Sequence, residues 1–248
     1  MLPSDVNAAP PPPPVQTNER LWQALWLVTL LLLPSSLYAI FVHAPVEARM
    51  GIAQKIFYFH VPAAYGMYLS GVICFIASAG YLLKLNDGWN AWARAGAECA
   101  AMFGIMVLTS GPLWAKKAWG VYWVWDPRLT TSLLSMLVYA AIVVLRAFSG
   151  DGEAERKFAA ALGILGTVNL PIIHYSVRKW GGNHPTVITK GGGGLGHPNM
   201  KLALLGGFIA MTLLAALFLW SRARLLWLDA RLSRAEERAV SLGATEEV

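Results

Sequence analysis

The sequence predicts an all-α, polytopic membrane protein with six transmembrane helices, on three observations. Of its 248 residues 56% are hydrophobic and 14% charged, against roughly 25% charged in an average soluble domain. Lys, Arg, Asp and Glu are absent from six stretches, 21–46, 56–83, 99–115, 129–145, 158–177 and 202–221. A helix crosses a hydrocarbon core with about 20 apolar residues, roughly 17 to 25 being tolerated, so each stretch can span. These runs also lack the alternation of a transmembrane barrel strand.

The elements follow in order. Residues 1–20 contain Pro10 to Pro14 and are expected to be a disordered, proline-rich tail, since a polyproline run is extended and builds no core. Residues 21–222 form the membrane domain. Its first span begins at Leu21, and its apolar run exceeds the short core of a cleaved signal peptide. The third and fourth runs are the shortest and extend if Glu98 and Arg146 sit at headgroup level. Two connections stand out, the Trp-rich segment 114–128 and the loop 178–201, whose Gly191 to Gly194 predict flexibility. Residues 223–248 read as a polar tail, helical in part. Cys74 and Cys99 are isolated and read as apolar packing. No Walker A motif occurs, so any ATP hydrolysis belongs to a partner.

With six spans both termini share one face, and the loops after helices one, three and five share the other. His43, His60, His174, His184 and His197 all fall on or near that second face. It carries 9 basic residues against only Glu47 and Asp126, a balance of +7, while the terminal face is at −1. Lys and Arg number 11 on the terminal face against 9, which favours cytoplasmic termini. A basic, aromatic, histidine-bearing face suits a flat, anionic, metal-containing ligand.

Four of the 11 tryptophans, Trp114, Trp119, Trp123 and Trp125, lie within twelve residues and are joined by Tyr122. An interfacial aromatic belt accounts for one or two of them. The interleaved Gly, Pro and charges point further, to a broad aromatic surface with indole N–H donors. Asp126 precedes Pro127 and is expected to cap helix four. Arg128 is either a snorkelling interfacial cation or the partner of a ligand carboxylate, for which its planar fork is suited; Arg178 is a second candidate. His60 lies five residues past Lys55, and an ionisable residue at that depth is a functional candidate. Haem iron accepts two axial imidazoles. A second histidine on the same face therefore matters; His184 is the natural partner, with His174 and His197 as competitors.

The run W-G-V-Y-W-V-W-D-P-R-L-T at 119–130 resembles the tryptophan-rich WWD signature of the haem-handling proteins of cytochrome c maturation. F-H-V-P-A-A at 59–64 and V-N-L-P-I-I-H-Y-S-V at 168–177 resemble the short six-helix family within that group, CcmC. The resemblance covers residues 21 to 221. It implies a component of the System I pathway in the bacterial inner membrane, with cytoplasmic termini and a periplasmic WWD segment. It implies haem b (iron protoporphyrin IX), transiently bound between His60 and His184 and loaded onto the haem chaperone CcmE. The small protein CcmD and the ABC transporter subunits CcmA and CcmB are the implied partners, beside the lipid bilayer; no nucleic acid is implied. Tyr122 departs from the pattern, standing where a Trp is usual, as do the Gly-rich loop with its added His197 and the proline-rich N-terminus.

The expected role is binding and transfer of haem rather than enzymatic catalysis, with His60 fixed by helix two and His184 delivered from the loop. Trp119, Trp123 and Trp125 are expected to cover the ring while Arg128 or Arg178 neutralises a propionate. Three other readings differ in what they require. A haem lyase subunit is longer, with more spans and another histidine pair. A b-type electron carrier holds haem permanently between histidines inside two helices. A haem permease calls for a polar path or an internal repeat; neither is evident, although Asn169 and Pro171 interrupt helix five.

Overall fold

A computed structural model describes residues 18–150, 152–184 and 195–241. The six helices are α1 (Glu19–Tyr38), α2 (Phe57–Lys84), α3 (Asp87–Trp119), α4 (Pro127–Phe148), α5 (Glu153–Trp180) and α6 (Pro198–Ser241). A π-helical turn, Ala39–His43, continues α1, and a 3-10 turn, Ile52–Ile56, leads into α2. All six helices are long and apolar enough to cross a membrane, and among the described residues there is no β-strand. This is the expected all-α, multi-pass membrane architecture. The expected proline-rich tail lies outside the described residues except at its end, and so does the glycine run of the 178–201 loop.

Local chemistry sets the helix boundaries. Asn18 Oδ1 accepts from Leu21 N at 3.2 Å, and Asn86 Oδ1 accepts from Trp89 N at 3.0 Å, so α1 and α3 start on side-chain caps. Asp126 Oδ1 accepts from Leu129 N at 2.8 Å with Pro127 at the first helical position, the cap expected there. Gly120 ends α3 with φ +80°, a left-handed conformation that glycine adopts without steric cost.

α3, α4, α5 and α6 run further than their charge-free stretches at both ends. α3 continues through Ala115–Ala118 to Trp119, because Ala and Lys are good helix formers and the turn is delayed to Gly120. Trp114 and Trp119 are therefore on a helix, and the true loop is only 120–126. α6 runs past Ser221 to Ser241, and α5 passes unbroken through Pro171. Asn169 Nδ2 donates to Thr131 O and Ser135 Oγ, both at 2.7 Å, so it ties α5 to α4 and marks no opening.

α2 and α3 pair most extensively and form the centre. α4 and α5 pack on one flank, α6 lies on the other, and α1 rests on α6 at the outside. α1 is accordingly the least buried span. Lipid supplies no hydrophobic drive between helices, so close packing and interhelical hydrogen bonds hold them. A Cβ on Gly96 would stand 2.7 Å from the Cys74 backbone nitrogen, which shows how closely α2 and α3 approach. Thr167 Oγ1 of α5 lies 2.9 Å from Gly71 O of α2 and 3.1 Å from Tyr139 Oη of α4, a polar clasp of three helices. Phe103, Met67, Leu170 and Met211 fill the largest core cluster.

At the terminal end, ion pairs bind the helix extensions. Arg94 Nε and Arg222 Nη2 both reach Glu98 Oε1 at 3.0 Å. Asp87 receives Arg156 of α5 at 2.7 Å and Arg234 of α6 at 2.5 Å. These pairs leave the opposite end of the bundle as the place where polar and aromatic groups line open space.

Candidate functional site

At that opposite end, α2, α3, α4 and α5, with Phe208 of α6, line a cavity of about 430 Å³, within the roughly 300–1,000 Å³ of small-molecule sites. Along α2 its wall runs from Phe57 to Tyr68, about 16 Å at a rise of about 1.5 Å per residue. Of the residues expected to form a site, His60, His174, His184, Trp114, Trp119, Trp123, Arg128 and Arg178 line it. Tyr122, Trp125, Asp126 and His197 do not.

His60 is held by α3. Its Nδ1 lies 2.8 Å from Ser110 Oγ, and Ser110 Oγ is 2.5 Å from Met106 O. The hydroxyl has one proton, and a carbonyl oxygen can only accept, so that proton goes to Met106 and Ser110 Oγ accepts from His60. His60 therefore carries its proton on Nδ1 and keeps the Nε2 lone pair. A metal-ligating histidine has this arrangement when its second nitrogen donates to a fixed acceptor. The next residue makes room: a Cβ on Gly111 would lie 3.1 Å from His60 Cε1. Ser110 and Gly111 were not singled out in the sequence; Ser-Gly-Pro at 110–112 inside an apolar run was the available signal.

His184 follows α5 and meets α4 instead. Arg128 Nη1 lies 3.1 Å from His184 Nδ1, and Arg128 Nη2 donates to His174 O at 3.1 Å. Among the described residues, Arg128 Nε and Trp123 Nε1 are buried donors with no acceptor, and both residues belong to the cavity wall. Unpaired buried donors are costly, so an acceptor-bearing ligand would satisfy groups that the chain leaves open. The other nearby histidines have different surroundings. The His174 ring packs edge-on to Tyr175 at 5.0 Å. His197 is exposed, and its Nδ1 accepts from Asn199 N at 3.1 Å at the start of α6.

The aromatic residues form two layers. Trp114 and Trp119 cross edge-to-face at 5.5 Å on the last turns of α3, and Trp123 closes the wall from the loop. Trp125, expected to cover the ligand, packs edge-to-face on Trp123 at 5.7 Å and is 76% exposed. Tyr122 is also exposed and lies under the Lys116 ammonium at 5.2 Å. Asp126 keeps its second oxygen, Oδ2, buried without a partner among the described residues. Gly182 crosses over it at φ +136°, where a Cβ would come within 3.0 Å of Oδ2, so the approach to His184 runs across the cap of α4. Lys55 faces away from the site, its Nζ donating to Phe41 O at 2.8 Å.

The donor set fits a flat, anionic, metal-bearing ring. Among the described residues no three His, Cys, Asp or Glu side chains gather as a bare metal site. Two imidazoles suffice for an iron already bound equatorially, as in haem. Indole faces match a planar ring, and two guanidinium groups match carboxylates.

Comparison with known proteins agrees with this chemistry. The family profile described as "Heme exporter protein C" matches residues 6–238. The chain is 36% identical over 193 residues to heme exporter protein C of Bradyrhizobium diazoefficiens, covering 76% of this chain and 73% of that protein. It is 35% identical over 147 residues to heme exporter protein C of Escherichia coli K12, covering 58% of this chain and 59% of that protein. A putative cytochrome c biosynthesis ccmC-like mitochondrial protein of Marchantia polymorpha is 29% identical over 194 residues, covering 78% of this chain and 80% of that protein. With a six-span bundle and a haem-compatible cavity at one end, this chain belongs to the heme exporter protein C (CcmC) family, whose business is haem handling in cytochrome c biogenesis.

Proposed function

We propose that this chain binds haem b (iron protoporphyrin IX) as transient cargo at the periplasmic face of the bacterial inner membrane and transfers it to the haem chaperone CcmE. It does so in a complex with CcmD and the ABC transporter subunits CcmA and CcmB, and it is a binding and transfer subunit rather than an enzyme. The observation that carries this reading is the convergence of His60, His184 and Arg128 on one aromatic cavity. The excess of Lys and Arg on the terminal face, 11 against 9, supports cytoplasmic termini and hence a periplasmic cavity. His60 supplies one axial nitrogen from a rigid helix, His184 the other, and Arg128 and Arg178 face the propionates. Trp114, Trp119 and Trp123 flank the porphyrin, and Tyr122 and Trp125 present an aromatic rim to the chaperone.

The test is the visible spectrum of detergent-purified protein, oxidised and reduced, for wild type, His60→Ala, His184→Ala and His197→Ala. A low-spin two-histidine haem spectrum is expected in the wild type and in His197→Ala. It should be lost or become high-spin in the other two variants. Absence of haem after reconstitution with the complex partners would overturn the reading. Haem that stays bound through incubation with CcmE while cycling with a quinone would make this a b-type electron carrier instead.

A further inference from the structure

Of the three histidines that line the cavity, His60 and His184 are held in opposite states. Ser110 accepts a proton from His60 Nδ1, which leaves Nε2 as a lone pair. Arg128 does the reverse at His184. A guanidinium has no acceptor, so the 3.1 Å contact between Arg128 Nη1 and His184 Nδ1 makes Nδ1 the acceptor, and the neutral ring then carries its proton on Nε2. A protonated Nε2 has no lone pair to give a metal.

We propose that Arg128 is a carboxylate-operated latch on His184, keeping this histidine from ligating through Nε2 until a carboxylate of the bound ligand draws the guanidinium away. The inference rests on the haem-binding reading above and adds an order to it: His60 ligates first, and His184 joins only once the carboxylate end is seated.

Arg128 is suited to the exchange. It is already extended into the cavity wall, with Nη2 on His174 O at 3.1 Å and Nε buried without an acceptor among the described residues. A carboxylate offers two oxygens to a guanidinium fork, a charge-assisted pairing stronger than a contact to a neutral imidazole nitrogen. Trp123 Nε1, another donor of the same wall without an acceptor among the described residues, adds to the demand for an oxygen there. Once Nδ1 is released, the ring exchanges its proton with water, losing it from Nε2 and regaining one on Nδ1. No net proton is taken up and no electron moves. The Nε2 lone pair then forms the coordinate bond. Because the latch reads the carboxylate, a ring lacking that group is held by one histidine alone.

The experiment compares iron protoporphyrin IX with its dimethyl ester on the full-length chain in detergent, reading spin state by visible and electron paramagnetic resonance spectroscopy. Wild type should become six-coordinate low-spin with the diacid and stay high-spin with the diester. Arg128→Met should be low-spin with the diester as well, and should lose that signal when His184→Ala is added. In the ligand-free wild type, nitrogen-15 NMR of histidine-labelled protein should show His184 protonated on Nε2, and Arg128→Met should lose that preference. Equal low-spin spectra with diacid and diester in the wild type would overturn the latch while leaving haem binding intact. So would a His184 protonated on Nδ1 in the ligand-free wild type. Failure of the folded wild type to bind either porphyrin would instead overturn the haem reading, and the NMR result would still decide which tautomer Arg128 imposes.

Discussion

Replacing Ser110 by Ala tests the support of His60 without touching the imidazole. The change removes the acceptor of His60 Nδ1 among the described residues, a contact of 2.8 Å, and leaves that N–H in a part-buried site where water reaches it poorly. An orphaned buried donor costs about 1–3 kcal/mol. The loss of a hydrogen-bonded outer partner typically lowers metal affinity by about 10–100-fold, or about 1.4–2.8 kcal/mol of binding free energy. We therefore expect Ser110→Ala to bind haem about 10–100-fold more weakly, measured by titrating purified protein and following the Soret band. Ser110→Thr, which keeps a hydroxyl able to bond Met106 O, should recover most of the loss. Global stability is read separately from thiol labelling of Cys74 and Cys99, both buried and free, during a thermal ramp. Binding of Ser110→Ala within a factor of about two of wild type would refute the assignment of the His60 tautomer.

Two further predictions concern the scaffold. Thr167→Val removes the hydroxyl between Gly71 O and Tyr139 Oη and should destabilise the bundle by about 0.6–1.7 kcal/mol, the span measured for such bonds inside membranes; the same thiol-labelling ramp reports it, and an unchanged midpoint counts against the clasp. Asp87→Asn weakens the pairs to Arg156 and Arg234 and should loosen the end of α6, so that trypsin cuts after Arg231, Arg234 or Arg238 faster than in wild type while the haem spectrum is unaltered.

The six spans were legible because hydrocarbon tolerates so few charges that their absence marks each one. Asp126 was legible as a cap because Asp-Pro at a helix start is a local signal. The ends of α3 and α6 were not, since charges mark where the membrane stops and say nothing of where a helix stops: Lys116 and Lys117 continue α3, and the arginines after Ser221 continue α6. The support of the histidines was hidden for another reason. Ser110 stands 50 residues from His60 and Arg128 stands 56 from His184, and both contacts depend on the register between neighbouring helices, which no local pattern encodes. The division of the aromatic run was likewise invisible, because Trp123 and Trp125 differ in which side of a seven-residue loop they occupy.

The placement of the acidic residues at this end suits the cavity to an anion. The second face has only two, Glu47 and Asp126, and neither lines the cavity. Glu47 Oε2 accepts from Arg49 N at 2.8 Å and Met50 N at 2.6 Å, closing its own turn, while Asp126 Oδ1 is committed to the start of α4. Each carboxylate serves the backbone, and among the described residues no acid lines the wall beside Arg128 and Arg178, although the Asp126 charge is felt at Arg128 from behind the wall. Cations facing a cleft of low dielectric raise the local concentration of anions, and the aromatic wall then admits those anions that also carry a flat apolar face. A porphyrin with two propionates meets both conditions. Moving an acid into the wall, as in Ser132→Asp, would halve the net positive charge of the wall and weaken haem binding in a Soret titration, while leaving His60 and His184 in place.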